Sequence, residues 1–130
     1  IKEQAMDNGK RLTATHIKYL FAVMELDSAG RGARCVDVAA ALKISKPSVH
    51  NMMDAFSEMG LIRRDAFSAA YLTPKGRETA MRYRRYYDKL EKMMRACFPG
   101  QEDLSPVLLG MLAELSTESL ESFCPEACMA

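Results

Sequence analysis

Apolar residues recur at helical spacing along most of this chain. Ile17, Leu20, Phe21 and Met24 fall at i, i+3, i+4 and i+7, which predicts a helix from about residue 15 to residue 27. Ser28-Ala-Gly-Arg-Gly32 breaks it, and an Ala-rich helix follows from about residue 36 to residue 43. A third helix starts at Ser45, a good N-cap, with Pro47 in the first turn where a missing N–H costs nothing. It buries Val49, Met52, Met53 and Phe56 and ends at Gly60. Leu61-Ile-Arg-Arg64 and Tyr71-Leu72, separated by the small polar stretch 65–70, read as a two-stranded hairpin. Thr73-Pro74 then caps a long helix that runs to about Cys97 and is stopped by Phe98-Pro-Gly100. Its stripe of Ala80, Tyr83, Tyr87, Leu90, Met94 and Cys97 alternates steps of three and four, a seam suited to another helix. Two short helices follow, starting at Ser105-Pro106 and near Ser116.

The expected fold class is mostly α: a winged helix-turn-helix, then a long helix and a small helical dimerisation domain. The first domain is expected over residues 1–76 and the second over residues 77–130.

Charge sharpens this picture. The net charge is only +1, but all 18 Lys and Arg lie between Lys2 and Arg95, against eleven acids there. Beyond Arg95 there are six acids and no base. A basic part facing a polyanion and an acidic part facing something else would give such a split. No apolar run reaches the length of a membrane span, and residues 1–11 lack the apolar core of a signal peptide, so a cytoplasmic protein with no membrane partner is expected. Two His residues and no nucleophile motif leave little for acid/base chemistry, so no enzyme is expected.

The turn between the second and third helices carries the functional reading. Ala39, Leu42, Ile44, Val49 and Met52 occupy its interior-facing positions, while Lys43 stands where such turns usually have Gly. With that face inward, Lys46, Pro47, Ser48, His50, Asn51 and Asp54 point outward from the helix expected to enter the major groove of double-stranded DNA. Asn51 suits a bidentate contact to adenine, and Ser48 and His50 suit bases or phosphate. Arg63 and Arg64 on the wing are placed for phosphates, with Arg31, Arg34 and Lys43 adding charge near the same face. Asp54, Ser57 and Glu58 are expected beyond the contact.

Four motifs carry a family resemblance: residues 19–26, Val38-Ala-Ala-Ala-Leu-Lys-Ile-Ser-Lys-Pro-Ser-Val49, Gly60-Leu-Ile62 and Leu72-Thr-Pro-Lys-Gly-Arg77. They resemble the iron- and manganese-dependent transcriptional repressors of the diphtheria-toxin-repressor type, over roughly residues 11–123, in the short form typical of the manganese regulators. The resemblance implies a homodimeric DNA-binding repressor whose cofactor is a divalent transition metal. It also implies ligand positions that this chain does not match. The long-helix His falls on Tyr87, the acid and His positions of the later helices on Leu109, Leu112 and Ala113, and the first-helix acids near Lys18 and Phe21. Only Glu91 matches, so metal sensing at that position is expected to be lost. Cys97, Cys124 and Cys128 are the remaining ligand candidates, although free structural thiols are the simpler expectation.

Two alternatives stand beside this reading. A small-molecule-sensing regulator of the multiple-antibiotic-resistance type would use Tyr83, Tyr86, Tyr87, Met93 and Met94 to frame a pocket. A winged-helix protein-interaction module would need neither Asn51 nor His50.

Overall fold

The computed structural model describes residues 12–27, 30–66 and 69–125. Residues 1–11, the Ser28-Ala29 part of the first turn, Phe67-Ser68 in the hairpin loop, and Cys128 lie outside the described residues. Among the described residues the elements follow in the order α1 (Ala14–Leu26), β1 (Ala33–Arg34), α2 (Cys35–Leu42), α3 (Lys46–Glu58), β2 (Ile62–Arg64), β3 (Ala69–Leu72), α4 (Pro74–Cys97), α5 (Ser105–Glu114) and α6 (Thr117–Phe123). Two compact units result. Among the described residues, one spans 18–81 and the other combines 82–125 with 12–17.

The first unit is a winged helix-turn-helix. Of the set read from helical periodicity, Leu20, Val49, Met53 and Phe56 are buried while Phe21 and Met24 are half-buried, and Val23 and Val38, outside that set, complete the core. Met52, expected in that set, is half-buried. Ser45 caps α3, its Oγ accepting from Ser48 N at 3.3 Å. At the other end Gly60 takes φ +79, which lets Gly60 N reach Ser57 O at 3.1 Å and Leu61 N reach Phe56 O at 2.9 Å. Those two bonds form a Schellman ending and turn the chain directly into the wing.

The wing has three strands rather than the two expected. The order is β1-β3-β2, all antiparallel, with Ala33 opposite Ala70 and Arg63 opposite Tyr71. Strand β1 is only two residues long, too short to leave a periodic signal in the sequence. What holds it in place is Asp27, 2% exposed, whose carboxylate accepts from Gly32 N at 2.9 Å and Leu72 N at 3.0 Å. Arg77 lies 3.7 Å from the same carboxylate, so one buried acid ties the end of α1 to the sheet and to α4.

The Leu72-Thr-Pro-Lys-Gly motif also has a mechanical explanation. Thr73 Oγ1 accepts from Gly76 N at 3.0 Å and donates to Gly60 O at 2.6 Å. Lys75 Nζ donates to Met59 O at 3.1 Å, covering a last-turn carbonyl of α3. A Cβ at Gly76 would lie 1.9 Å from Leu61 O, so only glycine lets the start of α4 approach the wing this closely.

In the second unit, Tyr86, Leu90, Leu108, Leu112 and Leu120 are buried. The stripe read on the long helix holds for Tyr87 and Leu90, but Cys97 is exposed and Tyr86, outside that stripe, is 1% exposed. The phenol can be buried because Tyr86 donates to Glu121 Oε2 at 2.5 Å, and Arg85 reaches the same oxygen at 2.8 Å. Burial, then the bond to Glu121, raises the Tyr86 pKa well above its ordinary value. Ser116 caps α6, accepting from Ser119 N at 3.0 Å.

Candidate nucleic-acid interface

Helix α3 presents one exposed polar face. Lys46, Pro47, Ser48, His50, Asn51 and Asp54 are exposed, while Val49, Met53 and Phe56 on the opposite side are buried. The i, i+4, i+7 spacing of the buried set fixes this orientation. Ser48 has a second task, because its Oγ accepts from Ser45 Oγ at 3.0 Å within the cap.

Lys43 adopts φ 58 and ψ 49, the left-handed conformation that glycine usually supplies in such a turn. The turn closes all the same, with Ile44 N bonding Ala39 O at 3.1 Å, and the Lys43 side chain is left exposed beside α3. Arg31 and Arg34 are exposed as well.

The two wing arginines differ. Arg63 is exposed, with its guanidinium 4.7 Å from the centre of the Tyr71 ring that faces it across the strands. Tyr71 in turn donates to Asp65 Oδ2 at 3.1 Å, and that bond raises the phenol's pKa. Asp65 Oδ1 accepts from Ala69 N at 2.9 Å at the base of the hairpin loop. Arg64 instead turns back onto the helices. Its Nη1 donates to Asp54 Oδ1 at 2.9 Å, and its Nη2 lies 3.3 Å from His50 Nδ1 and 3.7 Å from Cys35 Sγ. Sequence reasoning treated Asp54 as lying outside the contact and missed this cluster. The four-residue spacing of His50 and Asp54, which puts both on one face of α3, was the available signal. Asp27, Gly76 and Tyr71 were also missed; each acts through a backbone neighbour or a cross-strand partner that periodicity does not reveal.

The residues at the positions implied for metal do not fit a divalent ion. The Tyr87 hydroxyl lies 3.1 Å from Ser105 Oγ, Leu112 is buried, and Leu109 and Ala113 carry no donor atom on their side chains. Glu91, the one match, is ion-paired with Arg95 at 3.3 Å. Cys97 is exposed and Cys124 is buried with its thiol 3.9 Å from Arg85 O; both are free thiols. Among the described residues there is no group of three or more His, Cys, Asp or Glu placed to hold a metal. Of the aromatic and Met residues considered for a small-molecule pocket, Tyr86 and Tyr87 have engaged hydroxyls and Met93 is exposed.

Fold and interface together define a winged helix-turn-helix of the kind found in transcriptional regulators. Residues 20–66, running from α1 through β2, match the IclR helix-turn-helix domain. The chain is 30% identical over 91 residues to the transcriptional regulator MntR of Salmonella typhimurium, covering 70% of this chain and 58% of that protein. It is 31% identical over 91 residues to MntR of Escherichia coli O157:H7, covering 70% of this chain and 59% of that one. The match therefore spans less than two thirds of either regulator's length. The chain is a relative of these regulators, and the resemblance to the metal-dependent repressors is borne out at that level. The solved structure of a hypothetical protein from Sulfolobus solfataricus matches with a TM-score of 0.62 at 17% identity, over 85% of both chains, and shares the fold. No helix among the described residues is long and apolar enough to cross a membrane.

Proposed function

We propose that this chain is a sequence-specific transcriptional regulator of double-stranded DNA that works in the cytoplasm as a homodimer and has lost metal sensing at its relatives' site. The observation that carries the reading is the exposed polar face of α3, with Asn51 and His50 on a helix locked by a buried opposite face. Residues 1–76 would read the duplex and residues 77–130 would connect and dimerise. Dimerisation is supported by apolar side chains left open on the second unit, with Phe98 55%, Val107 46% and Leu115 38% exposed. A dimer reads two half-sites related by its own two-fold axis.

The test is a fluorescence titration of a labelled mixed-sequence duplex at several salt concentrations. Binding should weaken steeply as salt rises, because bound Lys and Arg release counterions. Arg63→Ala should lower the slope by about 0.9 if that side chain meets one phosphate. Salt-independent binding, or none, would contradict the proposal.

A further inference from the structure

The side chain of the wing arginine Arg64 is only 19% exposed and is engaged by three protein partners. Those partners lie ten, fourteen and twenty-nine residues away in the chain, on α3 and at the first residue of α2. The arrangement uses the guanidinium's fixed fork. Nη1 takes the Asp54 carboxylate, and the two N–H groups of Nη2 face His50 Nδ1 and Cys35 Sγ. A guanidinium nitrogen only donates, so a hydrogen bond between the two makes His50 Nδ1 the acceptor and leaves the neutral imidazole's proton on Nε2. His50 is exposed, one residue from Asn51, so that Nε2–H is the polar group it offers outward. The same guanidinium is ion-paired with Asp54 at 2.9 Å.

We infer that Arg64 is a positioning residue that fixes His50 as an Nε2–H donor, and that His50 reads a hydrogen-bond acceptor on a base edge in the major groove. The acceptor is a purine N7, a guanine O6 or a thymine O4, the acceptors the major groove presents. This rests on the DNA-binding reading and deepens it. It assigns Arg64 to sequence preference rather than to the phosphate backbone, and it makes His50 a specificity-determining residue whose orientation is set from the wing.

The experiment has two arms. In the first, a duplex enriched from a random-sequence pool by the wild-type chain is titrated with wild type, Arg64→Ala, Arg64→Lys and His50→Ala. His50→Ala should lose preference at one base pair per half-site by about tenfold. Arg64→Ala should lose preference at that same base pair with the salt slope unchanged. Arg64→Lys should behave like Arg64→Ala, because an ammonium keeps the charge but not the fork. Rescue by Lys, or a slope lowered by about 0.9 with uniform weakening on all duplexes, would make Arg64 a phosphate contact and overturn the inference. In the second arm, nitrogen NMR of the free protein reads the His50 tautomer. Wild type should show the proton on Nε2, with the Nδ1–H form appearing in Arg64→Ala. An Nδ1–H form in wild type would overturn the positioning role without touching the DNA reading. A wild-type chain that enriches no duplex would overturn the DNA reading, and with it the target assigned to His50, whatever the tautomer.

Discussion

Asp27 shows how much one side chain can organise in so small a domain. Its carboxylate is nearly inaccessible, yet both oxygens are used, one by Gly32 N and the other by Leu72 N with Arg77 nearby. Removing it leaves buried backbone N–H groups without partners, which costs more than the bonds contribute in net terms. Asp27→Ala should therefore lower stability by about 2–4 kcal/mol in urea unfolding. A change under about 0.5 kcal/mol would mean that water replaces the carboxylate and that the sheet does not depend on it. The residue was legible in the sequence only as the end of a helix. Its two hydrogen-bond donors are backbone N–H groups that almost any residue supplies, so no side-chain pattern announced them.

Among the elements, α3 and its flanking turns were read most fully. The apolar spacing of Val49, Met53 and Phe56, the Ser45 cap and the Gly60 ending all follow from residue types with strong local preferences. The wing was read less well. Strand β1 is held by Asp27 and by pairing with β3, both distant in the chain, and two residues are too few for alternation to show. The long helix fell between these cases, because Tyr86 is buried by a partner on α6 that its own stripe did not predict. Lys43 is a local departure with a measurable consequence. It holds a left-handed backbone, which for a side-chain-bearing residue costs about 1–2 kcal/mol. Lys43→Gly should raise the stability of the chain by up to about 1 kcal/mol, the rest being offset by glycine's greater freedom when unfolded. It should also weaken binding to duplex DNA, since an exposed cation beside α3 is lost. Thermal unfolding and a duplex titration read the two effects together. A variant that is less stable would show that the Lys43 side chain contributes contacts worth more than its backbone strain.

For the whole molecule, the relation to metal-dependent regulators raises the question of what controls it. Tyr87, Leu109, Leu112 and Ala113 remove imidazole and carboxylate donors together, and Glu91 is occupied by Arg95. Manganese or ferrous iron should therefore change DNA affinity by less than about threefold relative to chelator, or roughly 0.65 kcal/mol of coupling. A tenfold strengthening would place the ligands elsewhere, and Cys97, Cys124 and Cys128 would be the first to replace. The central claim, that α3 reads duplex sequence from a two-fold symmetric protein, is tested most directly by selection from a random duplex pool with wild type and Asn51→Ala. Wild type should enrich a pseudopalindrome whose half-sites lie about 10 base pairs, or a multiple of that, apart. Asn51→Ala should lose about 1–3 kcal/mol of preference for it while binding random duplex as before. No enriched sequence, or the same sequence enriched equally well by Asn51→Ala, would contradict the account.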